Sequence, residues 1–305
     1  MNSQHSSSVV VTVLNFNRAH DTIECVQSLR ACHFNPLEIV VIDNGSTDGS
    51  LELLQQELAN AEVVSTGKNL GYTGGVNFSF QHVQKKHADY ILVLNNDTIV
   101  ERDFLNRLVD GMEGNKSAAA AGGTIFYDHD RTEVWYAGGR MIHWRGLAVH
   151  DHKGHHLDPE LLGGEREVSF LTGCCILFRS SALETIGGED ERFFMYLDDI
   201  ELSARILSKG FRLLYVPRAI IYHKALGETE SPFKLYYSIR NRLLLIGLMN
   251  SGVIEDVARI YFLAVIVLKL IVWRLHKPLF YRAALTGLMD YFRGDFYRGK
   301  GFDFI

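Results

Sequence analysis

The sequence predicts an α/β fold, a doubly wound, mainly parallel sheet followed by an α-helical C-terminal extension. Two observations carry this. Short β-rich runs alternate with helical periodicities through the first hundred residues. After Tyr222 the apolar residues recur at helical spacing, with Leu235, Ile239, Leu243 and Ile246 on one face.

Residues 9–14 form the first predicted strand. Ile23, Val26 and Leu29 then share a helical face, residues 38–42 form a second strand, and Leu51, Leu54 and Leu58 mark a second helix. Residues 62–65, a helix with Val76, Phe80 and Val83 on its apolar side, and residues 90–94 complete the alternation. Strand–helix–strand units repeated this way give parallel pairs with helices on both faces. Ligands of such sheets sit at the carboxyl ends of the strands, which singles out residues 15–17, 43–48 and 95–97. Past residue 118 the pattern changes. Residues 134–137 and 140–143 flank Gly138-Gly139, a two-residue hairpin signal. Residues 168–171 and 175–178 read as further strands, residues 181–186 as a short helix, and the His-rich stretch 143–167 as a loop. A boundary near residue 226 divides the chain into an α/β body, 1–225, and a helical region, 226–305.

A length of 305 residues suits about two domains at roughly 150 residues each. With 47% hydrophobic and 22% charged residues, the chain is neither disordered nor of low complexity. Four cysteines (Cys25, Cys32, Cys174, Cys175) without a CxxC spacing exclude a disulfide scaffold and a structural zinc site. Residues 1–8 are polar and the following apolar run is short, so no secretory signal is read and a reduced, cytosolic chain is expected. Residues 231–305 hold 11 Lys/Arg against 5 Asp/Glu, whereas the rest is acidic. An acidic body with a basic, apolar tail argues against nucleic acid and for an anionic lipid surface.

Four places carry candidate chemistry. Asp43 ends a strand and can accept from a nucleobase or ribose; alternatively the segment is a polar turn in which Asp48 or Ser46 caps the helix beginning near Ser50. Asn95-Asn96-Asp97 ends another strand and suits a divalent cation carrying a diphosphate, or forms an Asx turn. In Asp198-Asp199-Ile200-Glu201, Asp198 and Glu201 resemble a capping box, which leaves Asp199 free as a general base. His223 follows the apolar run 219–222 and becomes a metal ligand if Asp97 lies beside it, and is otherwise a packed or solvated residue. No GxGxxG follows the first strand and no GxxxxGK[ST] is present, so a bound diphosphate needs a metal to neutralise it. His143, His150, His152, His155 and His156 read as a solvated, acceptor-side loop, with zinc chelation as the alternative.

In this order, the pieces resemble the family 2 glycosyltransferases, inverting enzymes with the GT-A fold, and especially their rhamnosyltransferase-like branch. The resemblance rests on Leu14-Asn15-Phe16-Asn17-Arg18, the run from Val41 through Asp43 to Gly49, and the run from Asn69 through Gly71, Gly74 and Gly75 to Asn77. It continues through Leu94-Asn95-Asn96-Asp97, Thr172-Gly173, the run from Glu191 to Leu202, and Tyr222-His223. It implies that Asp43 binds base and ribose, with Asn15 and Asn17 lining that pocket, and that Lys68, Asn69 and Gly71 close over the nucleotide. It further implies that Asn95, Asn96 and Asp97 form the DxD-like motif, that Asp97 and His223 hold Mg²⁺ or Mn²⁺, and that Asp199 is the catalytic base. Three departures stand out: Asn95 replaces the first Asp of DxD, the acidic motif reads Asp198-Asp199-Ile200-Glu201, and Glu189 stands where the family commonly has Phe.

The tail segment Tyr236-Tyr237-Ser238-Ile239-Arg240-Asn241 also matches the branch. Residues 260–273 form a 14-residue apolar run broken only by Lys269, short of the roughly 20 that a span needs. Flanked by Tyr261, Trp273, Arg274 and Lys277, it suits an interfacial helix; a buried helix of a bundle or homodimer is the alternative. The resemblance therefore implies transfer of one or a few sugars from dTDP-rhamnose or a UDP-hexose to a lipid-linked glycan, at the cytoplasmic face of a membrane. Two other readings compete. A sugar nucleotidyltransferase needs a glycine-rich basic loop where Asn15-Phe16-Asn17-Arg18 stands. A non-catalytic membrane- or partner-binding scaffold could keep the same fold.

Overall fold

The computed structural model describes residues 7–59, 61–225 and 229–304, so the boundary expected near residue 226 lies outside the described residues. Four parallel strands form the first half: β1 (Val9–Asn15), β2 (Leu37–Asp43), β3 (Glu62–Ser65) and β4 (Tyr90–Asn95). They are connected by α1 (Ala19–Arg30), α2 (Ser50–Glu57) and α3 (Gly71–Val83). β1 is buried on both sides. Val9, Val11 and Val13 pack with Cys25 and Leu29 of α1 and Leu54 of α2, while Val10 packs with Val40, Ile42 and Val83 on the face that α3 covers. The register sets Asn15 level with Asp43, and Leu14 level with Asn95, so three strand ends open onto one edge.

The second half is mixed, and several of its elements carry no clear sequence signal. β5 (Thr98–Val100), α4 (Phe104–Gly114) and β6 (Ala118–Tyr127) follow β4, and β6 lies inside the sheet, flanked by two later strands, β11 (Cys175–Arg179) and β12 (Arg212–His223), in the order β10 (Arg166–Val168)-β12-β6-β11-β4-β1-β2-β3. The start of β6 is Ala-Ala-Ala-Ala-Gly-Gly, poor in the β-branched residues that announce a strand. Its small side chains are required, because a Cβ on Gly123 would fall 1.9 Å from the carbonyl oxygen of Ala219.

The hairpin expected across Gly138-Gly139 does not form. β7 (Val134–Tyr136) pairs with β6, whereas β8 (Gly139–Ile142) pairs with β9 (Leu147–His150). Gly138, at φ +93°, turns the chain away from β7, and a Cβ there would meet the Arg166 guanidinium at 2.7 Å. The reversal comes at residues 143–146, so the expected loop 143–167 contains a strand. β10 (Arg166–Val168) ends where a strand was expected to begin. β11 (Cys175–Arg179) runs antiparallel to both β4 and β6, and is followed by α5 (Ser180–Ile186) and α6 (Asp198–Ser208). β12 (Arg212–His223) is far longer than the run 219–222 that signalled it.

The chain ends in α7 (Pro232–Met249), α8 (Gly252–His276) and α9 (Pro278–Arg293). Among the described residues no helix is long and apolar enough to cross a membrane. On α8, Val253, Val257, Ile260, Val267, Ile271 and Leu275 are all exposed and fall on one helical face.

Candidate active site

Polar side chains at the ends of β1 and β2 hold one another before any ligand arrives. Asn15 is fully buried; its Nδ2 donates to Asp43 Oδ1 at 2.9 Å and to Ser46 Oγ at 3.1 Å, and its Oδ1 accepts from Thr22 Oγ1 at 2.7 Å. Asp43 is buried too, and its Oδ2 accepts from the Ser46 N–H at 3.1 Å. Asn17, at φ +54°, donates its N–H to Ser46 Oγ and accepts from the Thr47 N–H. Asp48, one residue before the cap position that Gly49 occupies, accepts from the Ser50 N–H at the start of α2, while Ser46 serves the Asn15–Asn17 turn.

The segment carrying Lys68, Asn69 and Gly71 closes against this corner. A Cβ on Gly45 would lie 2.3 Å from the Lys68 carbonyl carbon, and the Asn44 side chain donates to Gly71 O and accepts from the Leu70 N–H. Asn69 Oδ1 accepts from the Gly71 N–H at 2.8 Å. Gly71, at φ +76°, leaves a Cβ only 2.4 Å from the Phe194 ring, so the chain fits here only without a side chain.

At the end of β4, Asn95 donates its N–H to Cys174 O at 2.9 Å, and Asn96 Nδ2 donates to Thr22 Oγ1 at 2.9 Å. The structure brings Asp97 and His223 together: Oδ1 and Nε2 are 3.1 Å apart and both residues are nearly buried. β5 causes this, because it pairs Thr98 with His223. Burial opposes ionisation of Asp97, but the hydrogen bond and charge of His223, with Arg18 beyond, hold its carboxyl below the usual range. The His223 ring packs edge-on against Trp135, and its Nδ1 is buried with no hydrogen-bond partner. One carboxylate oxygen and one imidazole nitrogen at this separation match the donor preferences of Mg²⁺ or Mn²⁺. A site with two protein donors leaves positions open for phosphate oxygens and water.

Asp199 joins the same edge through two residues. Its Oδ2 accepts from the Gly173 N–H at 3.1 Å, and the next residue, Cys174, accepts from Asn95. Tyr72 donates to Gly173 O at 2.6 Å and pins the turn from the other side. Asp199 is half-buried, and burial pushes its carboxyl up to about 6 against the Gly173 and Ile200 N–H groups, which favour the anion. The capping box expected of Asp198 and Glu201 is absent. Leu197, at φ +66°, occupies the cap position, Glu201 takes Arg205 in two 2.8 Å hydrogen bonds, and Asp198 is buried. Burial, with the charges of Asp199 and Glu201, pushes Asp198 up to about 8. Glu189 is also buried; it is held far above its ordinary range by burial and by Asp198, and its Oε2 has no partner.

The five histidines do not converge. His150 packs among the rings of Trp135, Tyr136 and Phe170, while His156 joins Asp130 and Glu133 in the one metal-compatible group of three found among the described residues. A cavity of about 650 Å³ opens between α3 and α5, beside Tyr90 at the start of β4, which is the opposite end of that strand from Asp97. Gly173 and Tyr72 were missed as site residues. Thr172-Gly173 was visible as a motif, but the hydrogen bond to Asp199 depends on a distant helix.

Curated relatives and solved structures resemble this chain over most of its length. A mycobacterial N-acetylglucosaminyl-diphospho-decaprenol L-rhamnosyltransferase (Mycobacterium tuberculosis) is 29% identical over 226 residues, 67% of this chain and 72% of that protein. The dTDP-rhamnosyl transferase RfbF of Shigella flexneri is 22% identical over 267 residues, 84% of this chain and 86% of that protein. The mannosyltransferase PcManGT of Pyrobaculum calidifontis, solved with GDP-Man and Mn²⁺, superposes with a TM-score of 0.59 at 14% identity, covering 94% of this chain and 88% of that one. The mixed sheet with its C-terminal helices is thus of the GT-A type. Residues 8–187 match the profile of Glycosyl transferase family 2, the segment that carries Asn15, Asp43, Gly71, Asp97 and Gly173, and the chain belongs to that family.

Proposed function

We propose that this glycosyltransferase is inverting and metal-dependent, moving a sugar from a nucleotide-diphosphate sugar to a hydroxyl of a lipid-linked glycan. The observation that carries the reading is the meeting of Asp97 and His223 at 3.1 Å on the strand edge to which the Gly173–Cys174 turn ties Asp199. Asn15, Asn17 and Asp43 receive the nucleoside, and Lys68, Asn69 and Gly71 close over it. Asn95, Asn96 and Asp97 face the diphosphate. Asp97 and His223 hold Mg²⁺ or Mn²⁺, which when bound supplies Lewis-acid stabilisation of the leaving diphosphate. Asp199 accepts the proton of the acceptor hydroxyl as that oxygen attacks the anomeric carbon from the opposite face. Its raised carboxyl keeps it basic enough near neutrality for that step.

A rhamnosyl donor is favoured by the names of the two relatives, one of which also names a lipid-diphosphate acceptor. α8 supports a peripheral position on an anionic membrane surface, because its exposed apolar face is accompanied by Lys269, Arg274 and Lys277. Incubation with dTDP-rhamnose and UDP-hexoses, Mn²⁺ and a polyprenyl-diphosphate N-acetylglucosamine acceptor tests the reading. Nucleoside diphosphate release, with a product of inverted anomeric configuration, is expected. A retained configuration would exclude the displacement, and absence of release from every donor would remove the enzyme reading.

A further inference from the structure

The stretch between Arg192 and Leu197 leads directly into Asp198 and Asp199, and it is an expensive piece of backbone. Phe194 (φ +63°), Tyr196 (φ +66°) and Leu197 (φ +66°) all occupy the left-handed region without being glycine. Such a conformation is unfavourable for a residue with a Cβ and persists only where its surroundings over-determine it. The carbonyls of this stretch are not paired in any sheet ladder and must find donors elsewhere.

The backbone N–H groups of Tyr297 and Met195 reach the carbonyls of Arg192 and Phe193, and the side-chain donors come from α7. Asn241, with no exposed surface, sets its amide Nδ2 2.9 Å from Phe193 O, 2.8 Å from Met195 O and 2.9 Å from Tyr196 O, so its two N–H hydrogens are shared among three carbonyls. Arg240, also fully buried, donates Nη2 to Arg192 O (3.1 Å) and Phe193 O (3.0 Å), Nη1 to Tyr297 O (2.8 Å), and Nε to Asn241 Oδ1 (3.0 Å). The last bond orients the Asn241 amide so that its N–H groups face the loop. Phe194 stacks on Tyr237 of α7 at 5.5 Å, and its own carbonyl accepts from the Thr73 N–H at the start of α3. The strained stretch is therefore clamped between α7 and the Gly71 corner, and α6 starts from the point where it leaves that clamp.

We infer that Asn241 and Arg240 are positioning residues for Asp199, which makes α7 a working part of the reaction centre. The inference rests on the reading of Asp199 as the base. Direction is what they control. The Gly173 N–H meets Asp199 Oδ2 only while the first turn of α6 keeps its present orientation, and that orientation is inherited from Tyr196 and Leu197. Groups facing Asp199 and its neighbours are Tyr72 from α3, Tyr136 from β7, Cys174 from the turn before β11, Glu189 from the preceding loop, and Asp198, Glu201 and Arg205 from α6 itself. None of them is a cation free to replace the Gly173 N–H, because Arg205 is engaged by Glu201 and by Ile186 O.

The test uses the full chain and three variants: Asn241→Ala, Arg240→Lys and Asp199→Asn. For Asn241→Ala, kcat should fall about 10–100-fold, the scale expected of a misaligned reacting group. Calorimetric affinity for the free nucleoside diphosphate with Mn²⁺ should stay within about twofold, since a positioning change acts on the reaction step and not on the donor site. The acid limb of the kcat–pH profile should move to higher pH, because Asp199 loses N–H donors that favour its anion. Arg240→Lys, which keeps the charge but loses the planar fork, should give the same pattern more weakly and carries the test if the alanine variant does not fold. A fall in kcat with donor affinity lost in parallel and the limb unmoved would overturn the inference in favour of general destabilisation. Wild-type kcat in both tail variants, with Asp199→Asn impaired, would overturn it while leaving the base assignment standing. Full activity of Asp199→Asn would remove the base assignment itself.

Discussion

Asp97 and His223, separated by 126 positions in the chain, face each other at 3.1 Å because three-residue strand β5 lays Thr98 beside His223. The pair sits in a nearly dry corner, and among the described residues the imidazole Nδ1 has no hydrogen-bond partner. Asp97→Ala and His223→Ala should each abolish the Mn²⁺-dependent part of nucleoside-diphosphate binding. Calorimetry with Mn²⁺ and then with EDTA checks this. Each variant should bind the nucleotide equally weakly in both conditions, whereas the wild-type chain should bind at least tenfold more tightly with the metal, about 1.4 kcal/mol. A metal response retained in both variants would move the cation elsewhere.

Asp199 gives the pH dependence its sign. A general base works only as the anion, and burial has raised this carboxyl to about 6. Activity should therefore be low at pH 5, rise through about 6, and be lost again on acidification as the proton returns. Asp199→Asn removes the base and should lower kcat by roughly 10²–10⁴-fold across the range, with donor affinity little changed. A variant with wild-type turnover, or a wild-type profile flat between pH 5 and 7, contradicts the assignment.

Gly71→Ala probes the corner where the donor loop meets the acidic motif. The backbone is at φ +76°, and the added methyl would lie 2.4 Å from the Phe194 ring and 2.5 Å from its carbonyl oxygen. Left-handed strain of about 1–2 kcal/mol and overpacking of about 1–3 kcal/mol both oppose the change. Thermal or urea unfolding should show a loss of roughly 2–4 kcal/mol. Gly114→Ala, at the end of α4, is the control, because its φ is not positive and nothing among the described residues lies within 4 Å of the added Cβ. Equal stability of the two variants would mean that the Phe194 contact relaxes freely.

The parallel half of the sheet was legible because its strands are runs of Val, Ile and Leu bounded by Asn, Asp and Gly, so both period and end were visible. β6 was illegible for a packing reason. Its alanines and glycines are there to let β12 approach, and such residues carry no strand preference of their own. Gly138-Gly139 misled for the opposite reason, since a glycine pair marks any sharp redirection and only the partner strands show which kind. The types of residue at the site could be read from strand ends, but their meetings could not. Whether His223 reaches Asp97 depends on β5, and whether Asn241 reaches the Phe193 carbonyl depends on a helix packed from beyond residue 230. Asp198 looked like a helix cap and is a buried acid instead, because the left-handed Leu197 took the capping position.

The exposed apolar face of α8 is packed against no other element among the described residues. Val257, Ile260 and Val267 each expose more than half of their surface, on a helix whose opposite side buries Ala258 and Ile266. Such a face suits the peripheral position proposed above, with its apolar stripe in the acyl boundary and Lys269, Arg274 and Lys277 adding attraction to anionic headgroups. The full chain should sediment with phosphatidylglycerol vesicles, more weakly with purely zwitterionic ones, and partly release at high salt, which screens the charge contribution but leaves the apolar one. Full burial of one such side chain contributes about 1.5–3 kcal/mol, so replacing Val257, Ile260 and Val267 together by Glu should reduce vesicle binding by well over tenfold even if the helix is only half immersed. Turnover on a short soluble acceptor should be unaffected, because these side chains point away from α7 and α9. If the triple variant still sediments, or if the wild-type chain ignores vesicles and instead forms a dimer that the variant breaks, the face belongs to a second copy and not to a lipid surface.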